Sequence, residues 1–144
     1  MENMGANEFR DWQQSHVGIV VKDVKATLEY YKSLGIFYIP SMEPFVSEGK
    51  TSGVYGAWVY FGGYGMELFQ PKKGDTVQKY FLEHNGEGLN HLCFRVQNMN
   101  KTREQMAKHG IKELFRPSPN SSYYDIREVG NVLLEFGGPL TERQ

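Results

Sequence analysis

Two stretches of this sequence repeat one another, which restricts the chain to folds built from two similar halves. His16–Val17–Gly18–Ile19–Val20–Val21 and His91–Leu92–Cys93–Phe94–Arg95–Val96 each set a histidine at the head of a short apolar run. The offset between them is 75 (91 − 16), and it persists past the strand. Asp23 falls on Asn98, and both are residue types whose side chains accept from the free amides of a first helical turn. Val24 falls on Met99, Tyr31 on Met106, and Gly35–Ile36 on Gly110–Ile111. Each match has its own structural reason, so the pattern reads as an internal repeat of strand, cap, helix and glycine.

Within each copy the side chains alternate. Val17, Ile19 and Val21 share one face of the first strand, and His16 points to the other. Residues 1–15 read as a polar lead-in whose end is pinned to the core by Trp12. Val24, Leu28 and Tyr31 form the buried stripe of a helix running from Asp23 to Leu34, and Gly35 closes it. A short strand at Ile36–Ile39 ends at Pro40, and the mixed segment Ser41–Gly53 reads as a mobile loop and a candidate lid. Val54–Phe61 and Gly65–Phe69 form a hairpin about Gly62–Gly63, with Pro71 ending the second strand. A short helix from Asp75 or Thr76 to Asn85 joins the halves. The second half repeats the order with strand 91–96, helix 99–109, a strand near Ile111–Phe115, a loop at 117–122, and strands 123–128 and 132–136. The expected organisation is one domain over 1–144, with modules of about 14–71 and 90–138 joined by a linker at 72–89.

A net charge of −1 argues against nucleic-acid or anionic-membrane partners, which favour a basic excess. One cysteine excludes an internal disulfide framework and a cysteine-cluster zinc site. The first residues lack a signal-peptide pattern, and no apolar run approaches the ~20 residues of a membrane span. The expectation is a soluble, cytoplasmic protein.

Each half closes on a strand glutamate: Glu67 in Met66–Glu67–Leu68–Phe69 and Glu135 in Leu134–Glu135–Phe136. A carboxylate among apolar neighbours is costly unless paired or bound to a cation. Taken singly, a strand histidine is usually an ordinary core residue and a strand glutamate usually faces solvent. The recurrence of both at matched places favours a shared site. Two imidazoles and two carboxylates suit Zn²⁺, Co²⁺, Ni²⁺, Mn²⁺ or Fe²⁺, with positions left open for water or substrate. His84 and His109 have no counterparts and read as a surface residue and a helix-end charge. Cys93 reads as inert filler, although it shares a strand face with His91.

These residues resemble the vicinal-oxygen-chelate superfamily, which includes glyoxalase, bleomycin-resistance proteins, extradiol dioxygenases and methylmalonyl-CoA epimerases. The resemblance covers residues 16–138 and is strongest to the epimerases. It rests on His16–Asp23, Met66–Pro71 and especially Tyr80–Phe81–Leu82–Glu83–His84–Asn85–Gly86–Glu87–Gly88–Leu89–Asn90–His91. It implies an α+β fold of two βαβββ modules forming a U-shaped mixed sheet around one divalent metal, held by His16, Glu67, His91 and Glu135. It further implies a homodimer and a small-molecule substrate such as an acyl-CoA thioester. The implied reaction is epimerisation: a proton leaves and returns beside a carbonyl whose enolate the metal stabilises. Glu135 would double as acid/base. Glu48 takes the place of a second acid/base with a shift of about three residues, its rival reading being a solvated loop glutamate.

Two other readings compete. A lactoylglutathione lyase uses the same ligand types, but the first helix and its approach offer no arginine for glutathione. A resistance-type protein that sequesters a small aromatic compound usually lacks the full ligand set. An extradiol dioxygenase uses two histidines and one glutamate, usually in a longer chain. The aromatic run Tyr55, Trp58, Tyr60, Phe61 and Tyr64 is richer than the epimerase resemblance leads one to expect.

Overall fold

A computed structural model of the chain describes residues 11–139. Among them are eight strands and three helices in an α+β arrangement. The strands are β1 (Gln13–Val20), β2 (Phe45–Glu48), β3 (Gly53–Phe61), β4 (Tyr64–Lys73), β5 (Gly88–Arg95), β6 (Glu113–Ser118), β7 (Ser121–Asp125) and β8 (Leu133–Gly137). The helices are α1 (Val24–Leu34), α2 (Val77–Asn85) and α3 (Met99–Lys108). No helix among the described residues is long and apolar enough to cross a membrane. Contacts divide the chain into a His16–Leu92 unit and a unit that combines the residues up to Ser15 with those from Cys93 onward.

In the His16–Leu92 unit the strands lie in the order β2, β3, β4, β1 and the first part of β5. β1 runs parallel to β4, pairing Val17 with Met66 and Gly18 with Glu67. The hairpin β3–β4 is antiparallel and pairs Trp58 with Glu67 and Tyr60 with Gly65. Asp23 caps α1 by accepting from Ala26 N at 3.0 Å, and Gly35 ends it in the left-handed conformation. Val17, Val21, Val24, Leu28, Ala57, Val59 and Leu68 form the core between α1 and the sheet, as the alternation predicts. Fully burying a side chain such as Leu28, Val59 or Leu68 contributes about 1.5–3 kcal/mol each. This packing leaves His16, Gly18 and Glu67 for the opposite sheet face.

The segment predicted as a mobile lid contains an ordered edge strand instead: Phe45–Glu48 pairs with Gly53–Gly56. The room for it comes from Gly56, where a Cβ would overlap the Phe45 ring. Ile36–Ile39 contributes one isolated bridge, Tyr38 to Tyr60, rather than a strand. Pro71 does not end β4, which continues to Lys73. It is tolerated because β1 has left that edge by Val21, whose amide donates to Phe69 O at 2.8 Å.

In the other unit, the end of β5 is followed by β8, β7 and β6. Asn98 caps α3 by accepting from Lys101 N at 3.0 Å. The core is Val96, Met99, Met106, Tyr124, Leu134 and Phe136. Trp12 packs on it as expected, its ring 4.5 Å from Phe136 and 5.5 Å from Phe94 between centroids. The strand predicted near Ile111–Phe115 runs from Glu113 to Ser118, so the loop expected at 117–122 shrinks to a turn before β7.

Candidate functional site

Three of the four anticipated ligands lie in the His16–Leu92 unit, on the neighbouring strands β1, β4 and β5. His16 is buried, and its Nε2 lies 3.1 Å from Glu67 Oε2. The His91 ring lies 5.7 Å from the His16 ring between centroids, turned 80° to it. His91 itself is wholly buried. Phe69 packs on His91 at 5.4 Å, and the Trp58 edge meets His16 at 4.9 Å. These rings exclude water from a polar centre and so strengthen the electrostatic interactions within it.

Two neighbours of His91 were not legible as site residues in the sequence. Asn90 is wholly buried, and its Oδ1 accepts from His91 Nδ1 at 2.8 Å. That bond puts the ring proton on Nδ1, so the lone pair of the neutral ring is on Nε2, the nitrogen a metal would take. Gly18 lies beneath the ring, where a Cβ would overlap the imidazole. A signal for Gly18 existed in the repeat, because its counterpart is Cys93. The glycine marks a place where the copies differ in available space.

Glu135 lies in the other unit, in the middle of β8. It is paired across the ladder with Tyr123, and its Oε1 accepts from Ser121 Oγ at 3.2 Å. Glu48 stands apart from the buried histidines in a different way. It is an exposed residue of edge strand β2, with Lys72 Nζ and Lys73 Nζ each 2.8 Å from its carboxylate. Hydrogen bonds from Lys72 and then Lys73 lower its pKa from 4.5 to about 2. A carboxylate held ionised this firmly is a weak base near neutral pH. Of the two readings of Glu48, acid/base group or solvated glutamate, these surroundings describe the second: an exposed ion-pair link between β2 and β4.

Two imidazoles on neighbouring strands, with the Glu67 carboxylate beside His16, are ligand types of the kind first-row metals take.

Comparison with known proteins agrees with this reading of the fold. Residues 15–125 match the model of the Glyoxalase/Bleomycin resistance protein/Dioxygenase superfamily. The chain belongs to this superfamily. His16, Glu67 and His91 lie within the matched span, and Glu135 lies beyond it. The human mitochondrial methylmalonyl-CoA epimerase is 29% identical over 129 residues, covering 85% of this chain and 71% of that protein. The uncharacterized protein YqjC of Bacillus subtilis (strain 168) is 26% identical over 131 residues, covering 86% and 90%. Among solved structures, a methylmalonyl-CoA epimerase in complex with methylmalonyl-CoA and NH4+ has the same fold. Its TM-score is 0.71 at 20% identity, covering 90% of this chain and 96% of that one.

Proposed function

We propose that this protein is a divalent-metal-dependent isomerase of the methylmalonyl-CoA epimerase kind, moving a proton next to a carbonyl. The observation that carries the reading is the pair of buried histidines, His16 on β1 and His91 on β5, with the half-buried Glu67 carboxylate of β4 3.1 Å from His16 Nε2. The linker from Tyr80 to His91 and the human relative's name support the acyl-CoA thioester as substrate class. A divalent cation, when bound, supplies a Lewis acid for the carbonyl oxygen and acidifies the neighbouring C–H.

The chain's own groups do the rest. His16 and His91 hold their ligating nitrogens on rigid strands, where a site is positioned more firmly than on loops. Asn90 keeps the His91 proton on Nδ1. Phe69 and Trp58 shield the centre from water. The proposal takes Glu135 as the fourth donor and as the acid/base group, on the strength of the repeat and the family resemblance. Glu48 is left out of the proton path because two lysines hold it as a carboxylate.

Elemental mass spectrometry of the purified protein, native beside His91→Ala, is the direct test. Near-stoichiometric divalent metal is expected in the native protein and its loss in the variant. Native protein should also exchange the α-proton of an acyl-CoA thioester in a D₂O screen, whereas full metal occupancy in His91→Ala would remove the site as drawn.

A further inference from the structure

We infer that the face beside His16 carries a binding platform for a planar, aromatic or conjugated group, and that this platform sets the substrate class. The inference rests on the proposed site only for its position; the platform itself consists of β3 and the segment before β2.

A continuous row of rings leads outward from the candidate site. Trp58 meets His16 edge-on at 4.9 Å, and Tyr60 lies nearly parallel to Trp58, 19° between planes and 6.2 Å between centroids. Tyr38 continues the row at 6.2 Å from Tyr60. Alternation along β3 gives Trp58 and Tyr60 the same face, while Ala57 and Val59 go into the core under α1. The backbone holds the last step in register: Tyr38 N donates to Tyr60 O at 2.7 Å and Tyr60 N to Tyr38 O at 2.8 Å. Opposite Tyr60 in the hairpin ladder stands Gly65, so no side chain covers the ring from β4.

These rings are not spent on the core. Trp58 and Tyr60 are half-buried, with part of each ring open to solvent, and Tyr38 is 68% exposed. Tyr38 and Tyr60 also line an open cavity of about 330 Å³ together with Ile36, Phe61, Gly62 and Gly63. Its volume suits a ring rather than a chain of polar groups, and its lining offers few polar partners. An aliphatic acyl group gains only area against such a wall. A flat π-system gains the offset-stacked or edge-to-face geometry as well. The occupant is therefore an aryl or conjugated group carried on the same small molecule as the reacting carbonyl.

The experiment compares two thioesters of N-acetylcysteamine with matched size and different shape, phenylacetyl and cyclohexylacetyl. Binding is followed by calorimetry with native protein, Trp58→Leu and Tyr60→Leu, and circular dichroism checks that each variant is folded. Native protein is expected to bind the phenylacetyl probe about fivefold more tightly, the worth of one added aromatic pair. That ratio should fall to about one in Trp58→Leu or Tyr60→Leu. Equal affinities in the native protein, or a preference that survives in both variants, would overturn the platform. So would failure of both probes to bind; if Tyr38→Ala then changes the mass seen by sedimentation, the rings serve a second copy of the chain. Metal content, measured on the same samples, tests the His16–Glu67–His91 reading separately. A protein without metal that keeps the planar preference would leave the platform standing and remove the isomerase.

Discussion

The two halves of the chain share one frame and spend it differently. In the first, Val21 N donates to Phe69 O at 2.8 Å; in the second, Val96 N donates to Gly137 O at 2.9 Å. Each glutamate faces an aromatic residue across its hairpin, Glu67 opposite Trp58 and Glu135 opposite Tyr123. Two residues further along, the likeness ends. Trp58 leads to Tyr60 and an open row of rings, whereas Tyr123 is 3% exposed and leads to Asp125, held by Arg127 at 3.0 Å. The first strand differs too: Gly18 gives up a side chain where Cys93 keeps one. A repeated frame fixes where donors can stand, while the departures from it decide which half keeps room for a ligand.

Restoring symmetry at Gly18 should therefore do the most damage. A methyl group there occupies the space of the His91 imidazole. Gly18→Ala is expected to lose bound metal to background and to cost about 2 kcal/mol of stability through overpacking. Metal analysis and urea unfolding read the two effects separately. A variant with full metal content and native stability would mean that the ring can retreat, and that Gly18 is incidental.

The next effect concerns the residue before each histidine, Ser15 in the first copy and Asn90 in the second. Asn90→Ala removes the acceptor for His91 Nδ1–H and leaves that buried donor to water or to nothing. Metal affinity should fall about tenfold, a common loss for such a supporting hydrogen bond. ¹⁵N spectra of the metal-free protein give a readout independent of metal. Native His91 is expected in the Nδ1–H form, and the variant as a mixture. Finding native His91 with its proton on Nε2 would reverse the assignment and make Asn90 a mere space-filler.

How much of this was legible in the sequence follows from the kind of interaction involved. The repeat, the caps Asp23 and Asn98, the stripe of α1 and the facing of His16 depend on local rules of period and capping, and the structure has them where expected. His16 and Glu67 were legible as candidates because the repeat puts a histidine and a glutamate at matched places in both copies; their 3.1 Å approach is what the structure adds. The two readings of Glu48, acid/base group and solvated glutamate, stayed open in the sequence because its partners, Lys72 and Lys73, come from a strand more than twenty residues away. Phe45–Glu48 was taken as a loop because Gly49 and Lys50 interrupt its period; an edge strand that is exposed on both faces has no period to show. Asn90 acts through space on the His91 ring, which no spacing rule reports, and the repeat marks Gly18 only as a departure from Cys93 without showing the ring above it.

The smallest expected effect tests the second half's choice of an ion pair where the first has Tyr60. Hydrogen bonds from the Arg127 side chain, and then from its backbone amide, lower the Asp125 pKa from 3.8 to about 2. A folded-state pKa below the unfolded value means that the stabilisation is present in full above about 3.8 and fades as pH falls through about 2. The pair is a third exposed, so solvent screening reduces its worth to about 0.5 kcal/mol. Asp125→Asn should be less stable than the native protein by that amount at pH 7, in matched urea unfolding curves. The gap should close as the pH approaches 2, where the native carboxyl takes up its proton. A gap of the same size at both ends would assign the effect to packing or to the neutral hydrogen bonds, and the charge at this position would no longer distinguish the halves.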